Sequence, residues 1–264
     1  MDFLQVIVLA LVQGISEFLP ISSSAHLVLV PKLLGWQDQG LAFDVAVHVG
    51  TLTAILFYFK DSLKKLLADF FASMMHRKKV GDSTIVWSVG FATLPVGLCG
   101  LALNDIIEQY ARSGIIIAIT TILFALVLFI ADKNHGLKSE YDMTIKLAFI
   151  IGLAQAIALI PGVSRSGITM SAALLLGFNR TASANFSFLM SIPVILLAGL
   201  LETVKLANSP CHISWSDLIL GTVISGVSAY ICVKLFVALI SKMSMLPFVV
   251  YRLVLGVFLI AVFV

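Results

Sequence analysis

Charge is what this sequence has least of: 12% of its 264 residues are Asp, Glu, Lys or Arg, against 60% hydrophobic ones, and the mean hydropathy is +1.07. So little polar surface cannot coat a water-soluble globule, which leaves lipid as the solvent. The apolar stretches also lack the strict alternation of outer-membrane strands. Backbone groups cannot go unpaired in hydrocarbon, so the expected fold is all-α, a polytopic membrane helical bundle. Cysteine is scarce as well. Cys99, Cys211 and Cys232 have no metal-like or redox spacing, and an odd number cannot close a disulfide framework, so they read as packing residues. Met1 to Gly14 include Asp2 but neither Lys nor Arg, unlike the basic start of a cleaved signal, and are read as part of the mature fold. The formal net charge of +3 is small and the basic residues gather in one loop, which argues against nucleic acid as a partner.

What is present is a series of apolar runs. Six come close to the roughly 20 residues a helix needs to span the hydrocarbon core: Leu41–Phe59, Thr84–Leu103, Gly114–Ala131, Ala182–Glu202, Leu218–Ile240 and Pro247–Val264. Two further regions are apolar but broken at proline. Phe3–Leu19 and Ser22–Leu34 flank Pro20, and Ile145–Ile160 and Ser166–Phe178 flank Pro161-Gly162, so each region reads as a re-entrant hairpin of short helices. The loop from Lys60 to Asp82 holds Lys60, Lys64, Lys65, Arg77, Lys78 and Lys79, and the positive-inside tendency places it in the cytoplasm. Three spans follow each hairpin, so the first hairpin enters from the outer face and the second from the cytoplasmic face. The expectation is one integral membrane domain over residues 1–264, built from inverted-topology repeats of about 1–140 and 141–264. Gln13 to Ala25 (Q-G-I-S-E-F-L-P-I-S-S-S-A) and Gln155 to Gly167 (Q-A-I-A-L-I-P-G-V-S-R-S-G) share that design, turning at proline into serines. Such repeats generally place a binding site near the midplane, where the breaks face one another.

Ionisable groups at membrane depth are costly unless paired or hydrated, so Glu17 and Arg165 are the leading functional pair. Gln13 and Glu17, four apart, share a helical face and can converge on one ligand or cation. Ser22, Ser23 and Ser24 begin a helix, where hydroxyls cap free amides and an anion meets the positive dipole end. His26, three residues after Ser23, can face the same site. In the second break Ser164, Ser166 and Thr169 offer donors around the planar fork of Arg165, a set suited to phosphate more than to one carboxylate. The blander reading is a polar cluster in which Arg165 only neutralises Glu17. Asp44, His48 and Arg252 are less specific and read as supporting, charge-balancing or snorkelling groups.

These motifs carry a resemblance. Q-x-x-x-E at Gln13 to Glu17 followed by F-L-P-I-S-S-S-A-H, then P-G-V-S-R-S-G-I-T from Pro161 to Thr169, look like the undecaprenyl-diphosphate phosphatase family, the bacitracin-resistance proteins. A-F-D-V-A-V-H-V-G at Ala42 and L-P-F-V-V-Y-R at Leu246 extend the match over nearly the whole chain. The resemblance implies hydrolysis of a polyprenyl diphosphate lipid, undecaprenyl diphosphate, to undecaprenyl phosphate and inorganic phosphate, recycling the lipid carrier of cell-wall synthesis. It implies a divalent cation, magnesium or calcium, and a site opening to the outer face of the bacterial cytoplasmic (inner) membrane. Whether protomers pair as a homodimer is left open by the sequence. Carried over by position, Gln13 and Glu17 occupy the acidic motif and the cation site, His26 the motif histidine, and Ser164, Arg165, Ser166 and Thr169 the phosphate motif, with Ser22 as a further diphosphate contact. Two departures stand out. Gln13 replaces the glutamate found in many members, so the acid role falls on Glu17, and Ser24-Ala25 stands where Thr-Gly is common. Ser23 is the candidate nucleophile with His26 as its base; phosphohistidine and direct attack by water stay open. The rivals are a transporter or flippase of an anionic polyprenyl lipid, a phosphatidic-acid-type phosphatase and a purely structural protein. The second lacks its later histidine, since none lies between Arg165 and Ser171.

Overall fold

A computed structural model describes residues 1–106, 113–207 and 214–263. Among the described residues the chain forms α-helices almost throughout: α1 (Phe3–Ser16), α2 (Ser23–Leu34), α3 (Leu41–Tyr58), α4 (Lys60–His76), α5 (Ser83–Ile106), α6 (Gly114–Lys133), α7 (Ile145–Ile157), α8 (Arg165–Leu175), α9 (Arg180–Ala207), α10 (Trp215–Ile240) and α11 (Leu246–Phe263). Six of them, α3, α5, α6, α9, α10 and α11, are long and apolar enough to cross a membrane. They coincide with the six runs read from hydropathy, because each run's length and composition admit little else. Val264 and Cys211 lie outside the described residues; Cys99 and Cys232 are half-buried free thiols.

Both broken regions form short helix pairs. α1 stops at Ser16 before Pro20, and α7 stops at Ile157 before Pro161, since proline cannot donate to the ladder and disfavours helix in the residue before it. The chain then re-enters a helix through a serine in the left-handed region each time, Ser22 at φ 74° and Ser164 at φ 70°. An L-residue there is strained by about 1–3 kcal/mol and persists only where its surroundings fix it, which is typical of functional sites.

One segment departs from the sequence reading. Lys60 to His76, expected within a loop, is the helix α4. It sets Asp61, Lys65 and Asp69 along one face and the exposed Leu67, Phe71 and Met74 along another, so it is amphipathic without being apolar enough to span, the pattern of a helix lying at the membrane surface. Its turn into α5 is held by Lys65 Nζ on Asp82 at 2.7 Å.

Small residues let the helices approach. A Cβ on Gly50 of α3 would collide with Ser225 and the Thr222 carbonyl of α10, and one on Gly152 of α7 with the Ala92 backbone of α5. The interior between them is filled by large groups such as Phe18, Phe188 and Phe236, whose neighbouring rings lie 5.5 and 5.9 Å apart. Large apolar side chains such as Leu98, Leu101, Val254 and Val257 face outward, as lipid contact requires. At one end Asp132 of α6 accepts from Arg180 of α9 at 2.6 Å and from the Met245 amide at 3.0 Å.

Candidate active site

The two breaks meet. Glu17, just after α1, and Arg165, the first residue of α8, lie 148 positions apart in sequence, yet Arg165 Nη2 donates to Glu17 Oε1 at 3.4 Å. The second oxygen of Glu17 accepts from Ser23 Oγ at 2.8 Å and from Gln13 Nε2 at 3.1 Å. Gln13 and Glu17 reach one point because four residues make about one helical turn. Arg165 is steadied by a second bond, from Nη1 to the Ser187 carbonyl of α9 at 3.2 Å. Glu17, Ser23 and Arg165 border a cavity of about 340 Å³ whose polar wall also includes Ser22, Ser24 and Ser164.

The remaining predicted residues are placed differently. Ser164 caps α8, its Oγ accepting from the Gly167 amide at 3.2 Å. Ser166 and Thr169 are buried behind the cavity: Ser166 Oγ donates to the Leu19 carbonyl at 2.8 Å, tying one break to the other, and Thr169 Oγ1 donates to the Arg165 carbonyl at 2.8 Å and meets Ser187 Oγ at 2.7 Å. His26 is not on the Ser23 hydroxyl. Its Nδ1 faces the Ser22 carbonyl at 2.7 Å and so donates, which leaves Nε2 of a neutral ring to accept from Tyr251 Oη at 2.6 Å. With both nitrogens engaged, His26 braces the turn at Ser22 against α11.

The imidazole nearest the carboxylate is His48, read above as a supporting group. Its Nδ1 donates to the Asp44 carbonyl at 2.7 Å, and Nε2 lies 3.7 Å from Glu17 Oε2. The Asp44–His48 spacing of one turn within a span was the available signal. Gln155, at the cavity wall, was marked only as the start of the second Q-to-proline motif, and Ser187 and Tyr251 carried no signal, because single polar residues in a helix do not show which way they face.

As a cation site the residues fit in part. Among the described residues no three His, Cys, Asp or Glu side chains gather as a ligand set. Gln13 Oε1, however, is buried beside Glu17 with no hydrogen-bond partner there. One carboxylate and one orphan amide oxygen suit a hard cation that takes most of its oxygens from phosphate and water.

The sequence profile of the family described as bacitracin resistance protein BacA matches residues 6–258. A protein named undecaprenyl-diphosphatase from Campylobacter curvus (strain 525.92) is 73% identical over 264 residues, covering 100% of both chains. Another of that name from Campylobacter concisus (strain 13826) is 70% identical over 263 residues, again covering 100% of both. One from Thioalkalivibrio sulfidiphilus (strain HL-EbGR7) is 52% identical over 265 residues, covering 100% of each chain.

Proposed function

This chain belongs to the bacitracin resistance protein BacA family, and from that membership together with the site we infer that it is an undecaprenyl-diphosphatase, a multi-pass membrane hydrolase that converts undecaprenyl diphosphate to undecaprenyl phosphate and inorganic phosphate. The observation that carries the reading is the meeting of Glu17 and Arg165 in a cavity at membrane depth, where a charge pair has little reason to exist without an anionic ligand.

The following roles suit the geometry. Arg165 and the helix-end amides of α2 and α8 take the phosphoryl oxygens, neutralising the charge that phosphoryl transfer must disperse. Ser23 Oγ attacks the terminal phosphorus and passes its proton to Glu17 Oε2, the acceptor it already contacts at 2.8 Å. The new Oγ–P bond replaces the bond to the bridging oxygen, which leaves with its electron pair as undecaprenyl phosphate. Water then cleaves the phosphoserine, giving phosphate and restoring the hydroxyl. Glu17 is therefore the base in this scheme and His26 a positioning residue. A divalent cation, magnesium or calcium, held by Glu17 and Gln13 Oε1, would supply further charge neutralisation.

An apolar groove of about 500 Å³ adjoins the polar cavity, the two sharing Val96, Leu159, Val194, Ala198 and Glu202. It offers the polyprenyl chain a path that keeps only the head group among the charges. Further proposals concern the setting: the cytoplasmic membrane, with α4 inside and the site opening outward, and an architecture of two inverted repeats. In support of the repeats, α1 of the first half packs on α10 of the second while α7 of the second packs on α5 of the first, an exchange of equivalent partners.

The test is phosphate release from undecaprenyl diphosphate by the purified protein in detergent, with Glu17→Ala and Arg165→Ala beside it. Release by the wild type and its loss in both folded variants is expected; near-normal turnover in either variant would remove the site assignment. A transporter alone releases no phosphate when no second compartment exists.

A further inference from the structure

Gln155 stands out by what it lacks. It is fully buried, at 0% exposure, on the last turn of α7, and among the described residues neither its amide nitrogen nor its amide oxygen has a hydrogen-bond partner. A buried amide in an apolar setting normally finds partners for both ends, so two orphans on one side chain ask for a ligand. Gln155 also borders the cavity that holds Ser23, Ser164 and Arg165. One turn earlier α7 packs closely on α5, where a Cβ on Gly152 would meet the backbone of Ala92. The Gln155 side chain lies at the wall of the site with its polar end unsatisfied.

We propose that Gln155 is a head-group binding residue: its amide nitrogen donates to a phosphoryl oxygen of the bound lipid diphosphate, and its amide oxygen accepts from a water held beside that phosphate. A neutral amide suits the task because it offers N–H donors at one end and an acceptor oxygen at the other without adding charge to a pocket where Glu17 and Arg165 already balance. Its place in the chain supports the assignment. Gln155 opens the second Q-to-proline motif as Gln13 opens the first, and Gln13 also keeps a buried amide oxygen without a hydrogen-bond partner among the described residues. The proposal rests on the diphosphatase reading of the cavity.

The experiment replaces Gln155 by Met, similar in length and apolar, and compares purified wild-type and Gln155→Met protein in three measurements: thermal midpoint without ligand, the midpoint shift produced by inorganic pyrophosphate, and kcat and KM on undecaprenyl diphosphate. A residue kept for binding gives an opposed pattern. Removing the orphan amide leaves the ligand-free midpoint equal or higher, while KM rises about tenfold and the pyrophosphate shift falls by more than half. A midpoint that drops, with KM and the shift unchanged, overturns the proposal and makes Gln155 a structural residue satisfied by a permanently bound water. Gln155→Asn, which keeps the amide on a shorter stem, should recover part of the shift; equal behaviour of Asn and Met would also count against it. If the wild type releases no phosphate at all, the diphosphatase reading fails instead, whatever the variants do.

Discussion

At the scale of single residues, the carboxylate of Glu17 organises the site. It gathers Gln13, Ser23, Arg165 and His48 around two oxygens, so its removal leaves several donors facing an empty point. Ser23→Ala should lower kcat by at least about 10²-fold with little change in KM, measured by phosphate release, if its oxygen forms the covalent bond. Retained turnover would make water the attacking group. His26→Ala should cost less, about tenfold, and Tyr251→Phe should reproduce part of that loss, because both act by bracing Ser22. Equal, complete losses for His26→Ala and Ser23→Ala would return the histidine to the chemistry. Arg252 of α11 behaves as a staple. It is fully buried, and its guanidinium donates to the carbonyls of Gly162 and Val163 at 3.0 Å each, Thr121 at 3.3 Å and Pro20 at 3.4 Å, joining both breaks. Arg252→Met leaves those carbonyls unpaired and should destabilise the fold by about 3 kcal/mol, read as a fall in thermal midpoint. The sequence showed Arg252 only as a charge in the last span, since its acceptors are backbone groups that no motif records.

Among the helices, the short broken pairs and the long spans divide the work. The spans supply walls, while the breaks expose helix N-termini and hydroxyls to one cavity. Their positions were legible because Pro20 and Pro161 interrupt runs that are otherwise continuous. The helix α4 was not: its lysines drew attention to charge, and its apolar face shows only when Leu67, Phe71 and Met74 are set three to four apart on a helix. If α4 lies on the cytoplasmic surface, a cysteine placed at Lys78 in an otherwise cysteine-free chain reacts with a membrane-impermeant maleimide only after the cells are opened. Labelling of intact cells would invert the proposed orientation. The groove beside the site gives a second check. Gly97 has open space around its Cα and Gly100 meets only Leu159 at 3.8 Å, so Gly100→Leu should narrow the groove. KM should rise severalfold for undecaprenyl diphosphate and stay near the wild-type value for a prenyl diphosphate of three isoprene units.

Across the whole molecule, the breaks are held together by elements from both halves. Ser166 reaches the Leu19 carbonyl, Arg252 reaches Pro20 and Gly162, and Asp132 fastens α6 to Arg180 and to the turn before α11. Asp132→Ala removes one partner of a largely buried pair and should lower stability by about 1–3 kcal/mol, measured by thermal unfolding in detergent. The solvent, the all-helical class, the six spans and the two proline breaks follow from the amino-acid order alone, because hydrophobic length and proline act locally and leave no alternative in lipid. That order also marked Glu17 and Arg165, since charge at membrane depth is conspicuous in any register. That a carboxylate rather than His26 receives the Ser23 hydroxyl, that His48 joins them, that Gln155 borders the cavity and that Arg252 ties the breaks together emerge from the folded chain. Those choices depend on how each helix is rotated and on contacts between separate elements, which spacing along one helix does not encode.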